Sequence, residues 1–262
     1  MTTVLCVPQW QGSAAPNAPR LVAGARRVAE LVPCDTRVTL PVRETAGERD
    51  GGVRSFDVIE ENTALIRKAL AGTDDFVVTV GGDCGVDLAP VAAAHARYGD
   101  ELTVLWIDAH PDLYTPQTLP SGAFHGMVLR TLLGDGHASL VPDRPLRPEQ
   151  VIFTGRRAGD DSELEYLARQ GMRSHGVPDF EAALEGIRGP VYAHIDLDVL
   201  EPTVFASMCY PEPAGVAPQR LIDLVSAVDG LVGAAITEYA PADPADEAEA
   251  EIIRRVGAAL RH

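Results

Sequence analysis

Two segments of the sequence place carboxylates and an imidazole at alternate positions directly after apolar runs. Asp108, His110 and Asp112 follow the run LTVLWI, and Asp196 and Asp198 follow the run VYAHI. Alternate residues of an extended chain point to the same side, and carboxylates held together repel one another unless cations lie among them. Oxygen-rich sites with some imidazole suit Mn²⁺, Mg²⁺ or Fe²⁺. The spacing therefore predicts a metal site.

Two further apolar runs end in residues that can do chemistry. The run DFVVTV leads into Gly81, Gly82, Asp83 and Cys84, and the run LVGAAIT ends just before Glu238. Glycines let the backbone turn tightly, and we expect Asp83 to accept hydrogen bonds from backbone N–H groups of the turn. Cys84 is a candidate metal ligand, nucleophile or packing residue. Because no partner base is identifiable, we favour a metal-facing role over a nucleophilic one.

These runs alternate with amphipathic helical patterns along the chain. The predicted strands cover residues 3–7, 37–42, 76–80, 102–108, 150–155, 190–196 and 231–237. Alternating β and α units predict a parallel sheet between helix layers. We predict an α/β fold, a single-domain three-layer α/β/α sandwich over residues 1–262 with a mainly parallel sheet of about eight strands. Ligands bind beyond the carboxyl ends of such strands, which is where the acidic residues lie.

Composition and charge limit the partners and the cellular compartment that we expect for the protein. The 262 residues carry a net charge of -16, which argues against nucleic acid as a partner. The N-terminus lacks the basic region of a secretory signal, and no apolar stretch approaches the roughly 20 residues that span a bilayer. The four cysteines show no CxxC spacing. We therefore expect a cytoplasmic protein without membrane or nucleic-acid partners.

The order of the motifs resembles that of the ureohydrolase family, which includes arginases, agmatinases, formimidoylglutamases and guanidino-acid hydrolases. GGDC matches the family's GGDH, DAHPD its DAHxD, SGAFHGM its SGxxHG, HIDLDVLEP its DxDxxDP, and TEYAP its late glutamate. The motifs run from Gly81 to Pro241. The resemblance implies an arginase-like fold and hydrolysis of a guanidino or amidino C–N bond.

The resemblance also implies a site for two manganese ions, which activate water for attack on the guanidinium carbon. Its metal ligands would be Cys84, in place of the family's first histidine ligand, together with Asp108, His110, Asp112, Asp196 and Asp198. Asp112 and His125 would move protons, and Glu238 would pair with the substrate guanidinium. As a soft ligand, the Cys84 thiolate should shift the metal preference of its half of the site from Mn²⁺ towards Zn²⁺ or Fe²⁺.

Other histidine and acidic residues are assigned structural positions. His194 shares the face of Asp196, but we favour a packing role because the family does not use this position as a ligand. Glu201 replaces the family's third aspartate and is predicted to be structural. His95, His137, His175 and His262 are predicted to lie at the surface.

The positions that recognise the substrate match the family only in part. Ser121 matches a serine that arginases place near the α-carboxylate, and Asp160, with Asp161 as the alternative register, matches the carboxylate that receives the α-ammonium group. Tyr114 and Leu119 replace an asparagine and a threonine of arginases. Because Asp160 would have little purpose opposite a purely apolar tail, we narrowly favour an arginase-type substrate.

Several other functions stay open. Agmatine, a guanidino acid, formimidoylglutamate or Nω-hydroxyarginine are alternative substrates, and a catalytically impaired binding or scaffold subunit is the alternative of another class. A single-zinc deacetylase fits the motifs poorly. The resemblance further implies a homo-oligomer, a trimer or hexamer.

Overall fold

A computed structural model describes residues 1–260 and contains one sheet of eight parallel strands. The strands are β1 (Thr2–Val7), β2 (Thr36–Thr39), β3 (Phe76–Gly81), β4 (Thr103–Ile107), β5 (Val151–Thr154), β6 (Arg173–His175), β7 (Val191–Asp196) and β8 (Leu231–Thr237). Their order in the sheet is β2-β1-β3-β8-β7-β4-β5-β6, and every neighbouring pair is parallel. The predicted α/β fold is confirmed.

The helices cover both faces of this sheet. They are α1 (Leu21–Leu31), α2 (Phe56–Leu70), α3 (Leu88–Tyr98), α4 (Val128–Leu132), α5 (Asp161–Gln170), α6 (Pro218–Ser226) and α7 (Glu247–Ala259). Strand β4 shows the two faces most directly. Leu105 and Ile107 pack in one apolar cluster with residues of α1, α6 and α7, whereas Val104 and Trp106 pack in another with residues of α2, α3 and α4. Alternate residues of a strand point to opposite faces, so the sheet lies between two helix layers.

Two details of the sequence prediction are corrected. The eighth strand, β6, was not among the predicted runs, because its three residues are polar and none is buried. His95 is not a surface residue: it is 1% exposed, and its Nδ1 lies 3.1 Å from the carbonyl oxygen of Arg144. His262 lies outside the described residues.

The sheet order brings the predicted site together. Strands β3, β8, β7 and β4 are consecutive neighbours in the sheet, although they span residues 76 to 237 of the chain. Because they are parallel, their carboxyl ends open on the same edge. The segments that carry Cys84, Glu238, Asp196 and Asp108 therefore meet there.

Candidate metal centre

The predicted metal ligands lie at this edge, and nearly all are buried. The ligands Cys84, Asp108, Asp112, Asp196 and Asp198 are each 1–4% exposed, whereas the His110 side chain is 25% exposed. Glu238, the predicted partner of the guanidinium, is 2% exposed. Buried carboxylates are rare unless they are paired or hold a metal. The sequence thus concentrates five buried acids in one place.

Backbone and indole N–H groups orient the carboxylates. Asp108 accepts from Trp106 Nε1 at 3.1 Å and from the backbone N–H of His110 at 2.6 Å. Asp196 accepts from the backbone N–H of Asp198 at 2.7 Å, and Asp198 accepts from that of Ala109 at 3.2 Å. Each carboxylate oxygen carries more than one lone pair, so oxygens that accept these bonds can still bind a further ligand.

The donor atoms fall into two groups whose members lie within 4.8 Å of one another. The first contains Asp108, His110 and Asp198, with His110 Nδ1 2.9 Å from Asp198 Oδ2. The second contains Cys84, Asp108, Asp196 and also His194, which the sequence analysis had assigned to packing. Asp108 belongs to both groups and so lies between two candidate metal positions. Asp112 belongs to neither group.

The backbone is strained at two of the predicted residues. Asp112 has φ +52° and Glu238 has φ +65°, a region that residues other than glycine adopt rarely. Such strain persists where the surrounding structure enforces it, and it clusters at functional sites. Both side chains also keep one buried oxygen, Asp112 Oδ2 and Glu238 Oε2, without a hydrogen-bond partner among the described residues.

Burial and mutual repulsion perturb the ionisation of the cluster. Burial, followed by the Asp108 carboxylate, raises the pKa of Asp112 well above its usual value, and burial with Asp198 does the same to the pKa of Asp196. Burial lowers the pKa of His110, but the Asp198 and Asp108 carboxylates outweigh it and raise that pKa strongly. The site therefore has an excess of negative charge that divalent cations would compensate. The carboxylate, imidazole and thiol donors and the unpartnered buried oxygens fit a metal centre.

The turn after β3 aims Cys84 into this cluster. A Cβ on Gly82 would lie 1.6 Å from the backbone oxygen of Gln9, so only glycine fits. Asp83 accepts from the backbone N–H groups of Gly12 and Gly85 at 2.9 and 3.0 Å, which confirms its predicted role. Cys84 Sγ donates to Asp196 Oδ2 at 3.0 Å. Burial and the surrounding carboxylates raise the pKa of the thiol well above its usual value.

An open cavity of about 430 Å³ lies beside the cluster, within the size range of small-molecule sites. Its lining includes the predicted residues His110, Asp112, Tyr114, Leu119, Ser121, His125 and Asp160. Glu238 is buried and is not part of this lining, but its Oε1 lies 3.8 Å from His125 Nδ1. Asp160 also caps the N-terminus of helix α5, since its Oδ1 accepts from the backbone N–H of Glu163 at 3.1 Å.

Sequence reasoning missed three residues near this cavity. Tyr210 stacks on His125 with ring centroids 4.9 Å apart, and Glu212 Oε1 lies 3.6 Å from His110 Nε2. Both belong to the irregular segment 207–215, which has no hydrophobic period to place it. Glu163 lines the same cavity. It accepts from the backbone N–H of Leu113 at 2.9 Å, and burial raises its pKa to about 7.

Acidic residues and imidazoles converging at the carboxyl ends of parallel strands, beside an open cavity, define an α/β protein with a candidate metal centre. The arginase family model matches residues 32–260, and the chain belongs to the arginase family. The chain is therefore an arginase-family ureohydrolase, as the motifs predicted. Among residues 1–260, none of the helices is both long and apolar enough to cross a membrane.

Individual relatives agree with this assignment. The chain is 32% identical to the N(omega)-hydroxy-L-arginine amidinohydrolase of Streptomyces lavendulae over 95% of both proteins. It is 29% identical to the arginase of Bacillus subtilis over 68% of this chain and 66% of that protein. Its fold matches a crystal structure of Entamoeba histolytica arginase with a TM-score of 0.87 at 20% identity, over 99% of this chain and 97% of that one.

Proposed function

We propose that the chain is a manganese-dependent hydrolase of the guanidino C–N bond of an arginine-type substrate, formed as one domain. The observation that carries this proposal is the cluster of five buried acids and an imidazole that meets the 430 Å³ cavity. The proposed metal ligands are Cys84, Asp108, His110, Asp112, Asp196 and Asp198. When bound, the ions would lower the pKa of water and so supply a nucleophile near neutral pH.

The chain's own residues would bind the guanidinium and move protons. Glu238 Oε1 accepts from the backbone N–H of Cys84 at 3.2 Å, so the unpartnered Oε2 is free to pair with the substrate cation. Burial lowers the pKa of His125 to about 4. This imidazole is therefore neutral at pH 7, and its stacking on Tyr210 positions the ring. Its proposed role is to relay a proton without holding it. Asp112, with its free Oδ2, is proposed as the partner in proton transfer.

The cavity wall supports a substrate with an amino-acid end. Asp160 and Ser121 line the cavity that Asp112 and His125 also line, and they would receive the α-ammonium and α-carboxylate groups. Tyr114 and Leu119 add a bulkier and less polar surface on the same wall.

Nω-hydroxy-L-arginine and L-arginine are the two leading candidates. The match over 95% of both chains to an N(omega)-hydroxy-L-arginine amidinohydrolase favours the first.

A substrate panel tests the proposal. Manganese-loaded protein would be assayed with L-arginine, Nω-hydroxy-L-arginine, agmatine, guanidinobutyrate, guanidinopropionate and formimidoylglutamate, and each product identified. We expect turnover of an α-amino-acid substrate and little of agmatine. Turnover of agmatine alone would overturn the substrate assignment, and no turnover by metal-loaded protein would favour the binding or scaffold subunit. The expected homo-oligomer stays a prediction, which light scattering at micromolar concentration would test.

A further inference from the structure

His194 is a buried imidazole in the middle of β7 that the proposed mechanism does not use. Its side chain is 0% exposed, and its ring stacks on Trp106 with centroids 3.6 Å apart and planes at 11°. The same Trp106 donates to Asp108 Oδ2. The indole therefore holds both the imidazole plane and the neighbouring carboxylate in place.

The two nitrogens of His194 have different surroundings. Nδ1 lies 2.8 Å from Asp87 Oδ2, and the other oxygen of Asp87 accepts from the Tyr192 hydroxyl. A carboxylate on Nδ1 favours the tautomer with the hydrogen on Nδ1, which leaves a lone pair on Nε2. Nε2 is buried and has no hydrogen-bond partner among residues 1–260. Metal-binding histidines commonly have this arrangement, with a carboxylate on the nitrogen that does not bind the metal.

The free nitrogen faces the acidic cluster. His194 Nε2 lies 3.9 Å from Asp108 Oδ2, and it shares the second donor group with Cys84 and Asp196. All donor atoms of that group lie within 4.8 Å of one another. Ligand atoms that sit about 2.0–2.3 Å from one ion lie up to roughly 4.5 Å apart. A single divalent ion can therefore engage them after small side-chain adjustments.

We propose that His194 Nε2 is a direct ligand of the divalent ion on the Cys84 side, together with Cys84, Asp108 and Asp196. This inference rests on the proposed function as a metal-dependent hydrolase. The imidazole that the resemblance places in the turn after β3 comes instead from β7, and Cys84 occupies the turn. A packing role accounts for the stack on Trp106 but not for an unpartnered nitrogen among carboxylates.

The donor set has a consequence for metal choice. One imidazole, one thiol and two carboxylates suit Zn²⁺ as well as Mn²⁺, whereas the group of Asp108, His110 and Asp198 lacks a sulfur donor. The two positions should therefore differ in metal preference, with the softer ion on the Cys84 side.

Metal titration of matched variants tests the assignment. Chelator-treated wild type, His194→Gln and His95→Gln would each be titrated with Mn²⁺ by calorimetry. His95 is the control because it is also buried, with one nitrogen on a carbonyl and Nε2 unpartnered, but it lies outside both donor groups. Loss of a residue that hydrogen-bonds to a metal ligand weakens metal binding about 10–100-fold. Loss of the ligand itself in His194→Gln should therefore weaken binding at one site by at least that factor, whereas His95→Gln should leave binding at both sites unchanged.

A second measurement uses the wild-type protein and does not depend on the folding of a variant. Long-range ¹H–¹⁵N spectra of the histidine side chains would be recorded during titration with Zn²⁺. His194 should coordinate through Nε2, whereas His110 faces Asp198 and Asp108 through Nδ1. On metal binding we expect the Nε2 resonance of one histidine, His194, and the Nδ1 resonance of another, His110, to shift.

The outcomes separate this inference from the proposed function. Wild type that binds no divalent ion would overturn the metal-dependent function. Wild type that binds two ions while His194→Gln binds them equally well, or while only Nδ1 resonances shift, would overturn the role of His194 and leave the function standing.

Discussion

Replacing Arg157 with methionine should destabilise the protein by about 3–5 kcal/mol, because this guanidinium ties together two loops beside the candidate site. Its contacts run to the backbone carbonyl oxygens of Gly155, Asp198, Val199, Leu200, Glu212 and Pro213, at 2.8–3.3 Å. A guanidinium has five N–H groups, so five of these bonds can form at once. At about 1 kcal/mol net each, these bonds sum to roughly 5 kcal/mol. In the variant, water can hydrogen-bond to the more exposed carbonyl oxygens, which reduces the loss of unfolding free energy towards about 3 kcal/mol.

Urea unfolding of the manganese-loaded protein, followed by circular dichroism, measures this loss. The control is Arg156→Met. Arg156 is the adjacent residue, but among residues 1–260 its side chain donates only to Ser174 Oγ and the Ala158 carbonyl oxygen, so Arg156→Met should lose about 2 kcal/mol or less. Activity should also fall in Arg157→Met, because the clamped segment carries Tyr210 against His125. Equal losses of unfolding free energy in the two variants would refute the reasoning.

Three further outcomes are expected. Removal of metal with a chelator should lower the melting temperature by about 5–10 °C for each site that was saturated at a free metal concentration of 100 times its Kd, because such binding contributes about 2.7 kcal/mol. An unchanged melting temperature would contradict a buried metal centre. Asp160→Asn keeps the helix cap and should leave the unfolding free energy within about 0.5 kcal/mol of the wild-type value. It should raise KM for an α-amino-acid substrate, because the proposed partner of the α-ammonium group loses its charge. The control Asp161→Asn, at an exposed position, should change neither quantity. Because the folded-state pKa of Glu163 is raised to about 7, the folded protein binds that proton more tightly than the unfolded chain. The unfolding free energy of metal-free wild type should therefore fall relative to Glu163→Gln, by up to roughly 3 kcal/mol, as the pH rises from about 4.5 to 7; urea unfolding at pH 5 and pH 8 would show this, and a pH-independent difference would contradict it.

The fold was predictable because its signals are local. Buried parallel strands are apolar on consecutive residues, so runs such as that of β4 stand out against the amphipathic helices. Strand β6 escaped prediction because Arg173, Ser174 and His175 lack that signal, and only their pairing with β5 makes them a strand. The insertion of β8 between β3 and β7 is likewise set by packing over long separations.

The candidate site was predictable as far as the residues that follow strands. Alternation placed His194 on the same face as Asp196, but its decisive contact is with Asp87, which lies 107 positions away in the sequence. No local pattern reports such a pair. Tyr210 and Glu212 were missed for a related reason. They lie in an irregular loop, which has no repeating hydrophobic pattern from which the orientation of a side chain could be predicted.

The place of β8 in the sheet affects when the site can form. Within the sheet, the group β2-β1-β3 and the group β7-β4-β5-β6 are joined through β8, which is the last strand along the chain. During synthesis the N-terminal portions emerge first. Until residues 231–237 leave the ribosome, two part-sheets expose unpaired edges at β3 and β7, which are prone to pair with other chains. Only the arrival of β8 brings the turn that holds Cys84 beside Asp196 and adds Glu238. A nascent chain would therefore complete the candidate site late, after most of the chain has been translated.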